Sequence, residues 1–275
     1  MSGRLVLCGT PIGNLDDAPP RLAEALREAD IVYAEDTRRS RILLDALGVE
    51  AKLRSYFVGN EEARSTELGE QLSQGLTVAL LTDAGMPSVA DPGYSAVRAA
   101  IEAGAAVTVV PGPSAVTAAL ALSGMPADRF TFEGFLPRKG GRRSLRLGEL
   151  QSERRTMVLF SAKGRLLEDL TDLAANLGDD RPVVVTREMT KAFEEVWRGT
   201  LAEAVERWSG STKGELTLVV HGAPDGEQDL NAALEHVGQM VSEGAPMAEA
   251  VRQVAEMSGI RRRSLYEEAL RSGLS

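Results

Sequence analysis

Residues 81–93 read LTDAGMPSVADPG and follow directly on the apolar run Thr77-Val78-Ala79-Leu80. Two prolines stiffen this stretch, and a stiff loop can hold carboxylates in a fixed place. Asp83 and Asp91 therefore read as groups that hold a ligand or accept a proton. Glu35 and Asp36 end another apolar run, and Lys139 and Lys191 offer cations. Simpler roles stand beside these. Glu35 and Asp36 also read as a helix cap paired with Arg38 or Arg39, and Asp91-Pro92-Gly93 as a helix start whose aspartate caps amides. The chain has one cysteine, Cys8, and two histidines, His221 and His236. That count rules out disulfides, thiolate-rich zinc sites and most histidine catalysis, and no metal is expected. Cys8 lies in an apolar run and reads as an inert core thiol. Chemistry is left to carboxylates, lysines, hydroxyls, backbone amides or a bound reagent.

These groups must be positioned by strands and helices in alternation. β-rich runs at 4–9, 31–35, 52–57, 77–82 and 106–110 alternate with helical patterns near 20–29, 40–47, 62–74 and 94–103. Alternation of this kind predicts an α/β fold with a mostly parallel sheet covered on both faces. A Gly/Pro knot, PGPSA at 111–115, restarts the pattern. An alanine-rich helix to about Ser123 follows, then strand-like runs at 129–137, 156–161, 182–187, 194–199 and 215–220, with a helix near 165–177. We expect an N-terminal α/β domain over 1–112, a second α/β domain with more antiparallel pairing over 113–225, and an all-helical tail over 226–275. Within the tail, 245–266 suits a helix-turn-helix that breaks at Ser258-Gly259, with Val251, Val254 and Ala255 on one face and Leu265 and Tyr266 turned inward. A helical pair that merely packs on the body fits the same pattern.

In open α/β sheets, ligands bind beyond the carboxyl ends of the strands. Three loops have that position: GTPIGN (9–14), DAGMPSVADPG (83–93) and PGPSA (111–115). A fourth, EGFLPRKGGRR (133–143), leaves a strand of the second domain. GTPIGN lacks the GxGxxG spacing and puts Pro11 where a phosphate cradle wants a free amide, so neither a dinucleotide fingerprint nor a P-loop is present. The 275 residues carry a formal net charge of −9, which argues against coating nucleic acid by bulk attraction. Local basic runs stand out even so, at Arg38-Arg39-Ser40-Arg41, at RKGGRRSLR (138–146) and at Arg261–Arg263. No apolar stretch approaches the ~20 residues of a membrane span, and MSGRLVLCGTP is unlike a signal peptide. A cytoplasmic protein with no membrane partner is the expectation.

Taken together, GTPIGNL, AEDTR at 34–38, LTDAGMPSVADPG, PGPSAVTAAL at 111–120, EGFLPRKG at 133–140, REMTK at 187–191 and KGELTLVV at 213–220 resemble the bacterial ribosomal RNA small subunit methyltransferase I family. That family is the branch of the tetrapyrrole methylase superfamily that methylates a ribose 2'-oxygen. The resemblance runs in order through about 4–222, and the tail is similar to the family's C-terminal helix-turn-helix. It implies a two-domain tetrapyrrole-methylase-like (class III methyltransferase) fold, S-adenosylmethionine held between the domains, and a homodimer. It implies a cytidine in the decoding region of 16S rRNA, free or in the small ribosomal subunit, as substrate. Carried over by motif, the cofactor-binding residues are Pro11, Ile12, Asp83, Gly85, Met86, Val89, Ser114, Ala115, Phe160, Glu215, Leu216 and Thr217. For proton transfer from the ribose hydroxyl the candidates are Asp91, Glu35 and Asp36. Phosphate contacts would come from Arg38, Arg138, Lys139, Arg142, Arg143 and Lys191.

The chain departs from the family pattern twice. Where members carry Tyr/Phe-Glu-Ser-x-His-Arg, it has Phe160-Ser161-Ala162-Lys163-Gly164-Arg165, and a His-Asn-Glu is Gly59-Asn60-Glu61. Two other readings stay open at the level of sequence. One is a small-molecule methyltransferase acting on a corrinoid or porphyrinoid, whose first loop would read Gly-x-Gly-Pro-Gly-Asp. The other is a ligand-sensing DNA-binding regulator built on the helical tail.

Overall fold

The computed structural model describes residues 3–210, 212–224 and 227–274, leaving aside the side chains of 227–229. The boundary expected at 225–226 lies outside the described residues. The chain opens with β1 (Arg4–Cys8), α1 (Leu22–Glu28), β2 (Ile31–Ala34), α2 (Thr37–Ala46), β3 (Leu53–Ser55), α3 (Glu61–Ser73), β4 (Thr77–Leu81), α4 (Tyr94–Glu102) and β5 (Ala106–Val110). The five strands form one parallel sheet in the order β3-β2-β4-β1-β5. Side chains alternate between the faces of a strand. On β1, Val6 and Cys8 join the core beneath α1 and α2, while Leu5 joins Tyr33, Leu68 and Leu72 on the opposite face. Burial on both faces explains why β1, β2 and β4 read as continuous apolar runs rather than alternating ones, whereas the edge strand β5 leaves four of its five residues exposed. Burial pushes the Cys8 thiol up to about 12, so it stays protonated within the sheet.

The second half runs α5 (Ala115–Ser123), β6 (Phe130–Phe135), α6 (Gly141–Gln151), β7 (Thr156–Ser161), α7 (Leu166–Leu177), β8 (Pro182–Arg187), β9 (Glu195–Thr200), α8 (Leu201–Arg207) and β10 (Leu216–Val220). Its sheet has the order β6-β7-β10-β8-β9. β6 runs parallel to β7, and the remaining pairs are antiparallel. One face packs on α6, α7 and α8. The other packs on α5 through Val116, Ala119 and Leu120, and Ile12 from the first half joins that core. Neither α6 nor α8 was expected as a helix. α8 does carry a legible start, because Thr200 and Glu203 form a capping box.

The tail is α9 (Glu227–Ser242), α10 (Met247–Ser258) and α11 (Arg262–Arg271), with its own apolar core. Gly259, at φ 74°, ends α10 where the break was expected. Leu265 is fully buried, whereas Tyr266 is 38% exposed and does not turn inward. Successive helix residues lie about 100° apart, so the two cannot share one narrow seam. The tail touches the body where Arg154 Nη1 donates to the Ser258 carbonyl at 3.0 Å and Arg261 Nη2 donates to His221 Nε2 at 2.7 Å. No helix among the described residues is long and apolar enough to cross a membrane.

Candidate functional site

The carboxyl ends of the parallel strands are laced together. Thr10 N donates to the Gly85 carbonyl at 2.9 Å and Gly85 N donates back to the Thr10 carbonyl at 3.1 Å, so the loops after β1 and β4 form a bridge. The loop after β5 closes on the same place. A Cβ on Gly112 would lie 2.8 Å from the Gly9 carbonyl carbon, so both positions must lack a side chain for the backbones to meet. The chain then crosses from one sheet to the other, and a cleft of about 600 Å³ opens between their strand ends. That volume falls in the range of small-molecule and cofactor sites.

The first sheet supplies one wall: Ile12, Glu35, Asp83, Gly85, Met86, Val89 and Asp91, all marked out in the sequence. Ser114 and Ala115, at the amino end of α5, form its back. The opposite wall follows from the antiparallel insertion of β10, whose first residue, Leu216, pairs with both Ser161 and Arg187. Its amino end therefore meets the carboxyl ends of β7 and β8. Phe160, Glu215, Leu216 and Thr217 all line the cleft there. Sequence reasoning missed Arg39, Phe135, Lys163, Glu188 and Met189, which line it too. It also missed a backbone signal. Among the described residues, the non-glycine positions with positive φ are Ser88, Ala90, Glu188 and Thr190, all in or beside the cleft loops. Strain of this kind gathers where a loop must present side chains in a fixed way.

The carboxylates divide by partner. Asp83 is a latch: its Oδ1 accepts from Asp36 N at 3.0 Å and its Oδ2 pairs with Arg39 Nη1 at 3.2 Å. Glu35 Oε2 accepts from Asp83 N at 3.3 Å, and burial raises its carboxyl above the ordinary value. Asp91 makes no hydrogen bond among the described residues. Burial, and then the charges of Glu35 and Asp83, push it up to about 7. On the facing wall Lys191 Nζ is spent on Glu188 and Glu215, each at 3.0 Å, which ties the loop after β8 to the start of β10.

Three expectations need correction. Asp36 is not in the cleft. Its carboxylate caps α2 by accepting from Arg38 N at 2.9 Å and pairs with Arg38 Nη2 at 2.7 Å, and these bonds hold it well below the usual carboxylate range. Pro11 is buried and does not line the cleft. Arg143 is no surface cation. It is 5% exposed, with Nη2 on Asp169 at 2.9 Å, Nε on Asp172 at 2.6 Å and Nη1 on the Pro137 carbonyl at 2.9 Å. Arg38, Arg138, Lys139 and Arg142 are exposed.

The residues present suit a methyl donor such as S-adenosylmethionine. Ile12, Met86, Val89, Val116, Met189 and Leu216 make apolar walls for a flat heterocycle. Carboxylates beside these walls favour a positively charged group. Among the described residues no group of His, Cys, Asp or Glu is arranged to hold a metal ion.

Comparison with known proteins agrees with this architecture. The family model for tetrapyrrole (corrin/porphyrin) methylases matches residues 4–205. The ribosomal RNA small subunit methyltransferase I of Mycobacterium tuberculosis (strain ATCC 25618 / H37Rv) is 46% identical over 274 residues, covering 98% of this chain and 96% of the relative. That of Escherichia coli O157:H7 is 38% identical over 271 residues, covering 98% and 95%. Among solved structures, a diphthine synthase superposes with TM-score 0.61 at 18% identity, covering 80% of this chain and 90% of that one. A uroporphyrin-III-C-methyltransferase from Thermus thermophilus gives 0.57 at 21% identity, covering 79% and 94%. The two structures share the fold, and the two relatives are similar in sequence over nearly the whole chain. The chain belongs to the tetrapyrrole (corrin/porphyrin) methylases, within the ribosomal RNA small subunit methyltransferase I family.

Proposed function

We propose that this chain transfers a methyl group from S-adenosylmethionine to the ribose 2'-oxygen of a cytidine in the decoding region of 16S rRNA. The observation that carries the proposal is Asp91, a carboxylate without a hydrogen-bond partner among the described residues, pushed up to about 7 and facing a cleft that fits the donor. S-adenosylmethionine supplies a methyl group on a positively charged sulfur, a leaving group that needs no acid. What remains for the protein is to orient the acceptor and take a proton from a poorly acidic hydroxyl. Asp91 has the basicity for that near neutral pH. Burial keeps its basicity high, the charges of Glu35 and Asp83 add to it, and Arg39 holds Asp83 in place. The exposed Arg138, Lys139 and Arg142, between β6 and α6, suit contacts to RNA phosphates, and Arg38 adds a further exposed cation. The reading makes the working form a homodimer in the cytoplasm acting on the small subunit.

The test incubates purified protein with labelled S-adenosylmethionine and small ribosomal subunits from cells lacking this activity, then maps the label. Label on one ribose 2'-oxygen of 16S rRNA is expected. Donor binding with no label in RNA would reject the proposal in favour of a small-molecule acceptor. A companion variant, Arg138→Ala with Lys139→Ala and Arg142→Ala, is expected to weaken subunit binding and leave donor affinity unchanged. Removing a cation that neutralises one phosphate should flatten the logarithmic salt dependence by about 0.7–0.9. Equal loss of both affinities would speak against a phosphate role.

A further inference from the structure

The β6 strand carries an irregularity that methyl transfer alone does not require. In its parallel register with β7, Phe132 pairs with Val158 and Gly134 pairs with Leu159, so Glu133 is an extra residue. Gly134 sits at φ 62°, a conformation that favours glycine. In a regular strand Phe132 and Phe135, three residues apart, would point to opposite faces. The bulge brings them to the same side. Both rings meet Phe160, with centroids 5.0 Å and 5.5 Å away. Glu133 is turned elsewhere, its side chain 6% exposed in an ion pair with Arg146. Bulges beside active sites re-aim side chains in this way.

The ring so aimed is 51% exposed and lines the cleft that also holds Glu35 and Asp91. Phe160, itself packed edge-on against Phe132, braces it, so its orientation is set before any ligand arrives. A half-exposed, braced aromatic at the edge of a cleft suits a flat π-system, and unstacked bases of single-stranded RNA are recognised on such surfaces. Resting on the reading above that the acceptor is RNA, we propose that Phe135 is the stacking platform for the target nucleobase. With the base turned out of its strand onto this ring, the attached ribose is presented toward the carboxylates of the facing wall. Stacking is tolerant of base identity, so this contact positions the nucleotide, and the choice of base falls to other groups.

The test compares wild type, Phe135→Leu and Phe135→Trp, measuring kcat/KM for small ribosomal subunits at saturating S-adenosylmethionine and, by calorimetry, the donor's Kd. Leucine keeps apolar bulk and removes the π-face. Its kcat/KM for the subunit is expected to fall about tenfold or more, whereas tryptophan stays within about threefold of wild type. Donor Kd should be unchanged in both, which also reports an intact fold. Unchanged kcat/KM in Phe135→Leu would overturn the proposal. A matching rise in donor Kd would overturn it too, by assigning the ring to the donor. Wild type that binds donor and labels no RNA would reject the RNA reading itself, and this inference with it.

Discussion

Asp91→Asn is expected to lower turnover on ribosomal subunits by about 10²–10⁴-fold at saturating donor, the usual contribution of a positioned general base. Donor affinity should fall far less than turnover, because asparagine keeps the size of the side chain and Glu35 and Asp83 still line the cleft. Below about 7 the wild-type carboxyl holds its proton and cannot accept another. Wild-type kcat should therefore rise about tenfold per pH unit up to that value and then level off, and the variant should lack this limb. Glu35→Gln should cost less, since Glu35 already accepts the Asp83 amide. The reverse ranking would reassign the proton acceptor to Glu35. The same displacement affects stability. The folded carboxyl titrates near 7 against a reference of 3.8, so neither state is penalised below the reference value. As pH rises from 3.8 to about 7, the unfolded chain releases its proton while the folded chain holds on, and stability falls. Asp91→Asn should therefore raise stability at pH 8 by an amount of order 1 kcal/mol after allowance for partial exposure, seen as a higher Tm, and lose that advantage toward pH 4. An equal shift at both pH values would contradict the raised pKa.

Arg143→Ala is expected to cost about 3–5 kcal/mol of stability, the penalty for breaking a buried ion pair from one side. The Arg143 and Asp169 side chains are 6% and 5% exposed, and without the guanidinium Asp169 keeps only the Ser161 hydroxyl, which donates to it at 2.8 Å. Urea unfolding should show the loss directly. Replacing both partners, as in Arg143→Met with Asp169→Leu, should recover much of it, because two apolar side chains leave no charge unpaired. Arg143 also holds the Pro137 carbonyl at the base of the loop that carries Arg138 and Lys139. Weaker RNA binding in Arg143→Ala is then expected as a consequence of that loop's release. Wild-type stability with reduced RNA affinity would instead make Arg143 a surface contact.

The contrast between Arg142 and Arg143 shows where sequence reading stops. RKGGRRSLR looks like one solvated basic run, yet helix α6 begins within it at Gly141. Neighbouring residues on a helix point about 100° apart, which leaves Arg142 outside and turns Arg143 onto α7. Only the tertiary packing supplies Asp169 and Asp172. The cleft, by contrast, is legible in large part. Glycines, prolines and acids gathered in three loops on one predicted sheet edge mark the place, although each loop alone reads equally as a turn, and the family motif singles out Asp83, Gly85 and Ser114 within it. Asp36 carries two readings, and the amide of Arg38 decides for the cap. Phe135 stands in the EGFLPRKG motif without a role, because a bulge that shifts register by one residue leaves no mark in an apolar pattern. Nor does composition mark Ser88 and Ala90, whose left-handed backbone is imposed by the loop around them.

The position of β10 has a consequence for how the protein is made. All five of its residues are buried, and it lies between β7 and β8, both of which leave the ribosome earlier. Until about residue 220 has been synthesised, β7 and β8 have no partner on their inner edges, and exposed edges of this kind invite association with other chains. A nascent chain stopped just before Leu216 is therefore expected to need chaperones or to aggregate, while one released after Ala223 can close its sheet. The donor cleft takes Leu216 and Thr217 from that same strand. Cofactor capture therefore follows β10 in the order of synthesis, and translation finishes the second sheet and the binding site in one step.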